Sequence, residues 1–480
     1  MQSVADSLAA LAELAENPPV SVVAAAFAAA GHDLALVGGP VRDAFLGRPV
    51  HDLDLTTDAT PDQILAIIAP LADAHWDIGR AFGTIGARIG GETVEITTYR
   101  ADVYDQVTRK PAVEFGSTLE GDLSRRDFTV NAMALRLPSK VLVDPSGGMD
   151  DLLAGILRTP STPEVSFGDD PLRMLRAVRF TAQLGFTVDD ETQFALGEMA
   201  SRITNISAER VNEELSKLLR SGEPRRGIEL LVDSGLAEFV LPEIPALRLE
   251  TDEHHHHKDV YQHSLTVLEQ AIELEASRGE PGAPPDLVLR LAALLHDIGK
   301  PATRKLEPGG VVSFYHHDLV GSKLAKKRLR ELRYDNDTIA DVARLIELHL
   351  RFFGYTDGAW TDSAVRRYVR DAGPLLERLH ILVRADVTTR NRRKADRLSF
   401  AYDDLESRIA ELAQQEQLDA ARPDLDGEQI KRILNLKPSR EVGEAYRFLL
   451  ELRLEEGPLG EEEATRRLLA WWSARGVDLA

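Results

Sequence analysis

Two short segments constrain the fold more than any others: Val37-Gly38-Gly39-Pro40-Val41-Arg42-Asp43 and, just after it, His51-Asp52-Leu53-Asp54-Leu55-Thr56. The first reads as the end of a strand, a glycine turn and the start of a helix. Glycines let a backbone approach an anion closely, and the first amides of a helix complement negative charge. Arg42 falls in the first turn, where it can reach a phosphate or ribose oxygen. In the second segment, strand alternation sends Asp52 and Asp54 to one face and Leu53 and Leu55 to the core. Neighbouring carboxylates are costly unless cations neutralise them. Mg²⁺ takes oxygen ligands, commonly one or two carboxylates together with substrate phosphates. Two such ions about 4 Å apart can activate a hydroxyl and stabilise a leaving pyrophosphate. Alone, the two aspartates fit any exposed strand face; behind a glycine turn they point to phosphoryl transfer.

The chain has 480 residues, enough for roughly two to four domains. Its longest apolar stretch near the N-terminus, Val20 to Ala30, is alanine-dominated and too short to span a bilayer. No basic segment followed by an apolar run opens the chain, so neither a signal peptide nor membrane attachment is expected. The absence of cysteine excludes disulfides and thiolate metal sites and fits a cytoplasmic protein. A formal net charge of −21 argues against general nucleic-acid affinity. Positive charge is clustered, however: Arg125-Arg126, Arg225-Arg226, the Lys323, Lys326, Lys327, Arg328, Arg330 and Arg333 group, and Arg390, Arg392, Arg393 and Lys394. Each cluster alone reads equally well as a solvated helix face; the set is compatible with RNA.

Residues 1 to about 30 read as one or two alanine-rich helices. From His32 to Arg100 the pattern is α/β, with strands around Leu34-Ala35-Leu36-Val37 and Val94-Glu95-Ile96 and a helix from Pro61 to Ile68. After Asp144-Pro145-Ser146-Gly147-Gly148 strand signals become scarce and the chain is mostly helical. Breaks fall at Ser221 to Pro224, Leu241 to Pro245, Gly279 to Pro285 and Pro308 to Gly310. The charged, helical tail ends in Leu469-Ala470-Trp471-Trp472, whose tryptophans read as packing residues.

Further motifs follow in order: Asp122-Leu123-Ser124-Arg125-Arg126-Asp127-Phe128-Thr129-Val130-Asn131-Ala132-Met133-Ala134, then Asp144-Pro145, then Phe167-Gly168-Asp169-Asp170-Pro171-Leu172-Arg173-Met174-Leu175-Arg176-Ala177-Val178-Arg179-Phe180, then Ile206-Ser207-Ala208-Glu209-Arg210-Val211-Asn212-Glu213-Glu214-Leu215. Asp170, Arg173, Arg176 and Arg179 recur every third residue and form a stripe expected to line solvent or a charged ligand rather than a core. An ion pair from Asp170 to Arg173 would suit a purely solvated face. From Val37 to about Leu219 this series resembles the bacterial, eukaryote-type (class II) branch of the tRNA nucleotidyltransferases and poly(A) polymerases, in the DNA polymerase β-like superfamily.

The resemblance implies an α/β head with a mixed sheet and helices over residues 1–160. A helical neck over 161–250, an HD domain over 251–400 and a helical tail over 401–480 would follow. It implies template-independent addition of C, C and A to the 3′ end of tRNA from CTP and ATP, with release of pyrophosphate. Asp52 and Asp54 would hold Mg²⁺, and Gly38, Gly39 and Arg42 would meet the nucleotide. Arg126, Arg176 and Arg179 would hold its triphosphate or ribose. Asp170 and Arg173 would present acceptor and donor edges to the base, in place of a template; a carboxylate accepts from the exocyclic amino group that cytosine and adenine carry. Asp169 stands where the family usually has glutamate. Glu95 suits a third carboxylate or a salt-bridged strand residue, and is not placed in the catalytic set.

A second pattern comprises His263, the His296-Asp297 pair in Leu294-Leu295-His296-Asp297-Ile298-Gly299-Lys300, and Asp386. It resembles the HD superfamily of metal-dependent phosphohydrolases; imidazole with carboxylate suits a transition-metal ion. His317 and His349 match positions that support a second ion in some HD families. The resemblance leaves both a hydrolase and a scaffold open. The run His254 to His257 is assigned no role.

Other readings share the front chemistry: poly(A) polymerase, or CC- or A-adding enzyme. The segment Thr97 to Leu119, with Arg100, Asp105, Arg109 and Lys110, occupies the region that CC-adding enzymes shorten, and leans toward full CCA addition. An HD phosphohydrolase with a nucleotide-sensing front domain is the alternative of another class; the intact Asp52 and Asp54 pair counts against it.

Overall fold

The computed structural model describes residues 4–50, 52–77, 79–101, 114–116, 118–249, 259–308, 312–356, 360–388, 392–416 and 422–475. Residues 51, 105, 109, 110, 254–257 and 390 of the sequence readings, and the side chain of Lys394, lie outside it. The chain forms two compact units, Met1–Pro242 and Glu243–Ala480.

The first unit opens with α1 (Val4–Glu16) and α2 (Val20–Ala30), the two alanine-rich helices. β1 (Leu34–Val37), α3 (Gly39–Phe45), β2 (Leu53–Thr57) and α4 (Pro61–Ile68) follow. α4 starts where expected because the Thr60 and Gln63 side chains form a capping box and Pro61 needs no amide partner. Then come β3 (Ala74–Trp76), β4 (Thr84–Ile89), β5 (Glu92–Thr98), the short pair β6 (Arg100–Ala101) and β7 (Glu114–Phe115), α5 (Leu119–Ser124), β8 (Ala134–Leu137), β9 (Val141–Val143) and α6 (Gly148–Ala154). Seven strands make one sheet in the order β3-β4-β5-β2-β1-β8-β9. It is mixed: β2 runs parallel to β5, while β1 is antiparallel to both β2 and β8. All four β1 residues are buried, as an inner strand covered on both faces requires. On one side Ala35, Val37, Tyr99, Leu119, Leu123, Ala132 and Ala134 form a common apolar cluster.

Beyond the sheet, the short β10 (Ile156–Leu157) pairs in parallel with β11 (Thr187–Val188). The rest is helical: α7 (Pro163–Asp169), α8 (Leu172–Leu184), α9 (Asp190–Met199), α10 (Ala208–Leu219), α11 (Pro224–Asp233) and α12 (Ala237–Val240). α8 packs against both α10 and α11.

The second unit contains α13 (Val260–Arg278), α14 (Leu287–Leu295) and α15 (Lys300–Thr303), then the hairpin β12 (Lys305–Leu306) and β13 (Val312–Ser313). α16 (His317–Glu331), α17 (Asn336–Leu348), α18 (Phe353–Thr356), α19 (Asp362–Ala372), α20 (Leu376–Ala385) and α21 (Arg392–Glu416) follow, and α22 (Gly427–Leu434), α23 (Arg440–Glu456) and α24 (Glu461–Ser473) close the chain. These last three share a separate core that includes Ile430, Leu449, Leu468 and Trp472. Trp471 stacks on Phe448 with ring centroids 4.7 Å apart, so both tryptophans pack, as the sequence suggested. Among the described residues no helix is long and apolar enough to cross a membrane. Part of the clustered positive charge is paired: Arg225 bonds Glu229, Arg226 bonds Glu223, and Arg328 bonds Glu243 and Glu331.

Candidate active site

The centre of the first unit is the edge of the sheet where β1 ends and β2 begins, with β5 alongside. Leu53 and Leu55 are buried, and Asp54 between them faces out of the core. The strand begins at Leu53 rather than at Asp52, so Asp52 sits exposed just ahead of it, a small departure from the strand expected to carry both. The β2–β5 register puts Glu95 beside Asp54. Burial pushes the Asp54 carboxyl up to about 6; the Arg126 charge opposes this, while Glu95 and Asp52 add to it. Carboxylates that repel one another at a strand end, with oxygen the only donor atom on offer, fit a hard divalent cation. The glycine turn lies alongside. Gly38, with φ 75°, caps α3 in a conformation other residues rarely adopt, and a side chain there would come within 3.2 Å of Arg126 Nη1.

Thr97 of β5 borders a cleft of about 320 Å³ that is also lined by Arg100, Asp122, Arg125, Arg126, Asp127, Asp170, Leu172, Arg173, Arg176 and Arg210, and the charges of Arg126 and Arg176 reach Asp54. Two of its cations, Arg126 and Arg176, are held by buried acids. Asp122 accepts from Thr56 Oγ1 at 3.2 Å, from the Arg100 amide at 3.2 Å and from Arg126 at 3.1 Å, tying the carboxylate strand to the cleft wall. Asp127 accepts from Arg176 Nε at 2.7 Å and from Asn131 at 3.1 Å. Burial alone would raise the Asp127 carboxyl, but the Arg176 charge and the bonds it accepts hold it well below the usual range. Arg173 donates to Ser166 Oγ at 2.9 Å and to the Arg125 carbonyl; burial lowers its pKa.

Two of the expected nucleotide-facing arginines are placed differently. Arg179 is buried, donating to Glu214 at 2.6 Å and to Gln183 at 2.7 Å, and does not line the cleft. The stripe was expected to avoid a core; Glu214 on α10 supplies the counter-charge that lets its last member enter one. Arg42 is also buried, bonded to Asn131 at 2.7 Å and to Asp43 at 2.8 Å. The guanidinium carbons of Arg42, Arg176 and Arg179 lie 5.3, 5.4 and 4.0 Å from the centre of the Phe180 ring. Asp170 does not pair with Arg173: it accepts from Arg210 at 2.7 and 3.3 Å and from the Leu172 amide at 3.1 Å.

Arg210, Glu214, Asn131 and Asp122 were not singled out from the sequence, although all four lie inside the motifs quoted above. Their signal was present as residue type; their role depends on which helix lies opposite.

In the second unit the expected ligands gather at helix ends. His263 belongs to α13, His296 and Asp297 follow α14, His317 begins α16, His349 caps α17 and Asp386 caps α20. Two groups result, His263, His296 and Asp386, and Asp297, His317 and His349, each with donor atoms within 4.8 Å of one another. Asp297 joins them, with Oδ2 3.2 Å from His296 Nε2 and Oδ1 3.3 Å from His317 Nε2. The Nδ1 atoms of His296, His317 and His349 sit 2.9, 2.9 and 2.6 Å from backbone carbonyls. In the neutral ring that arrangement places the proton on Nδ1 and turns each Nε2 toward the cluster. His349 Nε2 is buried without a hydrogen-bond partner. Burial and the neighbouring His296 push His349 down to about 4; burial would lower His296 too, but Asp297 and Asp386 hold it at about 10. This donor set fits a transition-metal ion. Gly299 lets the two backbones meet here: a Cβ there would meet the His317 carbonyl oxygen at 2.1 Å.

Comparison with known proteins covers the segments that carry both groups of residues. Residues 34–158 match the poly(A) polymerase head domain, 185–247 the probable RNA- and SrmB-binding site of polymerase A, and 260–391 the HD domain. An A-adding tRNA nucleotidyltransferase of Deinococcus radiodurans is 35% identical over 450 residues, 92% of this chain and 95% of that protein. A CCA-adding enzyme of Bacillus subtilis is 42% identical over 210 residues, 44% of this chain and 52% of its own length. The solved structure of a Bacillus stearothermophilus CCA-adding enzyme in complex with CTP shares the fold, with a TM-score of 0.65 at 24% identity over 96% of this chain and 99% of that one. Proteins of this type generally use a divalent metal. The chain is a nucleotidyltransferase and belongs to the tRNA nucleotidyltransferase and poly(A) polymerase family.

Proposed function

We propose that the protein adds nucleotides to the 3′ end of tRNA without a template, building CCA from CTP and ATP. The observation that carries this reading is Asp54, beside Glu95 and within reach of the charges of Arg126 and Arg176, two cleft-lining arginines fixed by the buried Asp122 and Asp127. The tRNA 3′-hydroxyl attacks the α-phosphorus of the nucleotide; a phosphodiester bond forms, the bond to the bridging oxygen breaks, and pyrophosphate leaves. Mg²⁺ held by Asp52 and Asp54 would supply charge neutralisation and a more acidic hydroxyl. The chain itself positions and stabilises charge. Arg126 and Arg176, fixed by Asp122 and Asp127, meet the phosphates or ribose. Asp170 and Arg173 meet the base. Gly38 and Gly39 admit the nucleotide close to the backbone. Arg42 and Arg179 act from behind, through the Phe180 ring they share with Arg176. On this reading residues 1–160 carry the chemistry, 161–250 base selection and tRNA contact, 251–400 the HD centre and 401–480 the tail, in the cytoplasm.

A-addition alone is the second reading, favoured by the name of the relative that matches nearly the whole chain. Purified protein is given tRNA lacking its terminal residues, with CTP, ATP or both. Incorporation that stops at CCA supports the first reading. Addition of a single A, only to tRNA already ending in CC, supports the second. Homopolymer growth or no incorporation overturns both.

The histidine cluster supports a separate phosphohydrolase activity in the second unit, with a transition-metal ion held by His263, His296, Asp297 and Asp386 and a second position at His317 and His349. Hydrolysis of a phosphodiester such as bis(p-nitrophenyl) phosphate with Mn²⁺, Ni²⁺ or Co²⁺, lost in Asp297→Ala, would support it. No turnover with any of these ions leaves the domain as a scaffold.

A further inference from the structure

Asp170 carries four in-plane acceptor positions on its two oxygens. Three are taken: Oδ2 by Arg210 Nη2 at 2.7 Å, and Oδ1 by Arg210 Nη1 at 3.3 Å and by the Leu172 amide at 3.1 Å. The amide belongs to the start of α8 and the guanidinium to α10, so the plane of this carboxylate is set by two helices that pack on each other. Both side chains line the nucleotide cleft. The pair is also partly open to water, with 48% of the Arg210 side chain and 31% of the Asp170 side chain exposed. Ion pairs this exposed add little to folding; what the fork of Arg210 changes is the orientation of the group it holds. A carboxylate free to turn about its last bond would offer either edge to a base, and would accept donors in several geometries.

We infer that Arg210 is a specificity-determining positioning residue, holding Asp170 in one plane so that a single acceptor position is left for the exocyclic amino group of cytosine or adenine. The inference rests on the base-facing role of Asp170 proposed above. Uracil and guanine offer a carbonyl oxygen in place of that amino group, and a fixed acceptor rejects them better than a rotating one.

The test uses the full-length enzyme and tRNA lacking its terminal residues, with kcat and KM measured for CTP, ATP, UTP and GTP. In Arg210→Ala, preference for CTP and ATP over UTP and GTP falls about tenfold or more, the loss expected when one charged partner of a reading group is removed. The fall comes mainly through KM for the correct nucleotides. Arg210→Lys does not restore it, because one ammonium cannot grip both oxygens. Equal losses for all four nucleotides would mean a merely structural role and would overturn the inference, as would full rescue by lysine. Asp170→Ala separates the two levels. Unchanged preference in that variant removes the base-facing role itself; lost preference there with none lost in Arg210→Ala removes Arg210 alone.

Discussion

Asp127 grips Arg176 through two nitrogens, Nε at 2.7 Å and Nη2 at 2.6 Å. Because the folded-state pKa of Asp127 is depressed, its contribution to stability is fully present above the unfolded value of about 4 and is lost as pH falls through the folded one. Asp127→Asn should cost about 3 kcal/mol at pH 7, within the range for breaking a buried pair. Urea unfolding of parent and variant should show the gap narrowing below pH ~4. A gap that stays constant with pH would count against the ion pair as its source.

Asp54 poses the opposite case. Burial raises its carboxyl to about 6, so the charged form burdens the folded protein increasingly from the unfolded value up to that pH and constantly above it. Without divalent cation, Asp54→Asn should therefore be more stable than the parent at pH 7 by about 1–2 kcal/mol. It should also lose nucleotide addition by about a hundredfold or more. Greater stability with lost activity is the expected pairing; lower stability would remove the repulsion argument.

Glu214 and Arg179 form a buried pair 2.6 Å apart. Glu214→Ala should cost about 3–5 kcal/mol by stranding the arginine, whereas Glu214→Leu with Arg179→Met should recover most of that loss. Thermal unfolding of the single and double variants checks it, and a double variant no better than the single would contradict the pair.

Asp297 contacts both histidine groups of the second unit. Asp297→Ala should lose bound Mn²⁺ or Ni²⁺, measured by elemental analysis after dialysis, while nucleotide addition stays at the parental rate. Loss of both together would undermine two independent centres.

Trp472→Ala opens the small core of α22 to α24 and should cost about 3–5 kcal/mol there. Hydrogen exchange should quicken across residues 422–475 while the β1 and β2 amides keep their protection.

The parts that could be read in the sequence are local ones. The strand, glycine turn and helix at Val37 to Phe45 follow from neighbours in the chain, and so does the alternation that turns Leu53 and Leu55 inward. The HD ligands were marked by residue type within a short apolar context. What could not be read is who sits opposite whom. Asp170 and Arg210 are 40 positions apart, and Arg42 and Asn131 are 89 apart. Those pairings come from α8 lying on α10 and α3 lying beside the Thr129–Asn131 turn. Periodicity could place Arg179 on a stripe, but only the packing of Glu214 decides whether that stripe is wet.

Gly299 leaves no room for a side chain because the backbone of α16 passes against it, with His317 oxygen and Gly321 nitrogen 2.1 and 2.6 Å from where a Cβ would stand. The turn that follows His296 and Asp297 is thus in main-chain contact with the start of the helix that carries His317. Any side chain exchanged in these two groups therefore sits on a backbone that has no slack at Gly299.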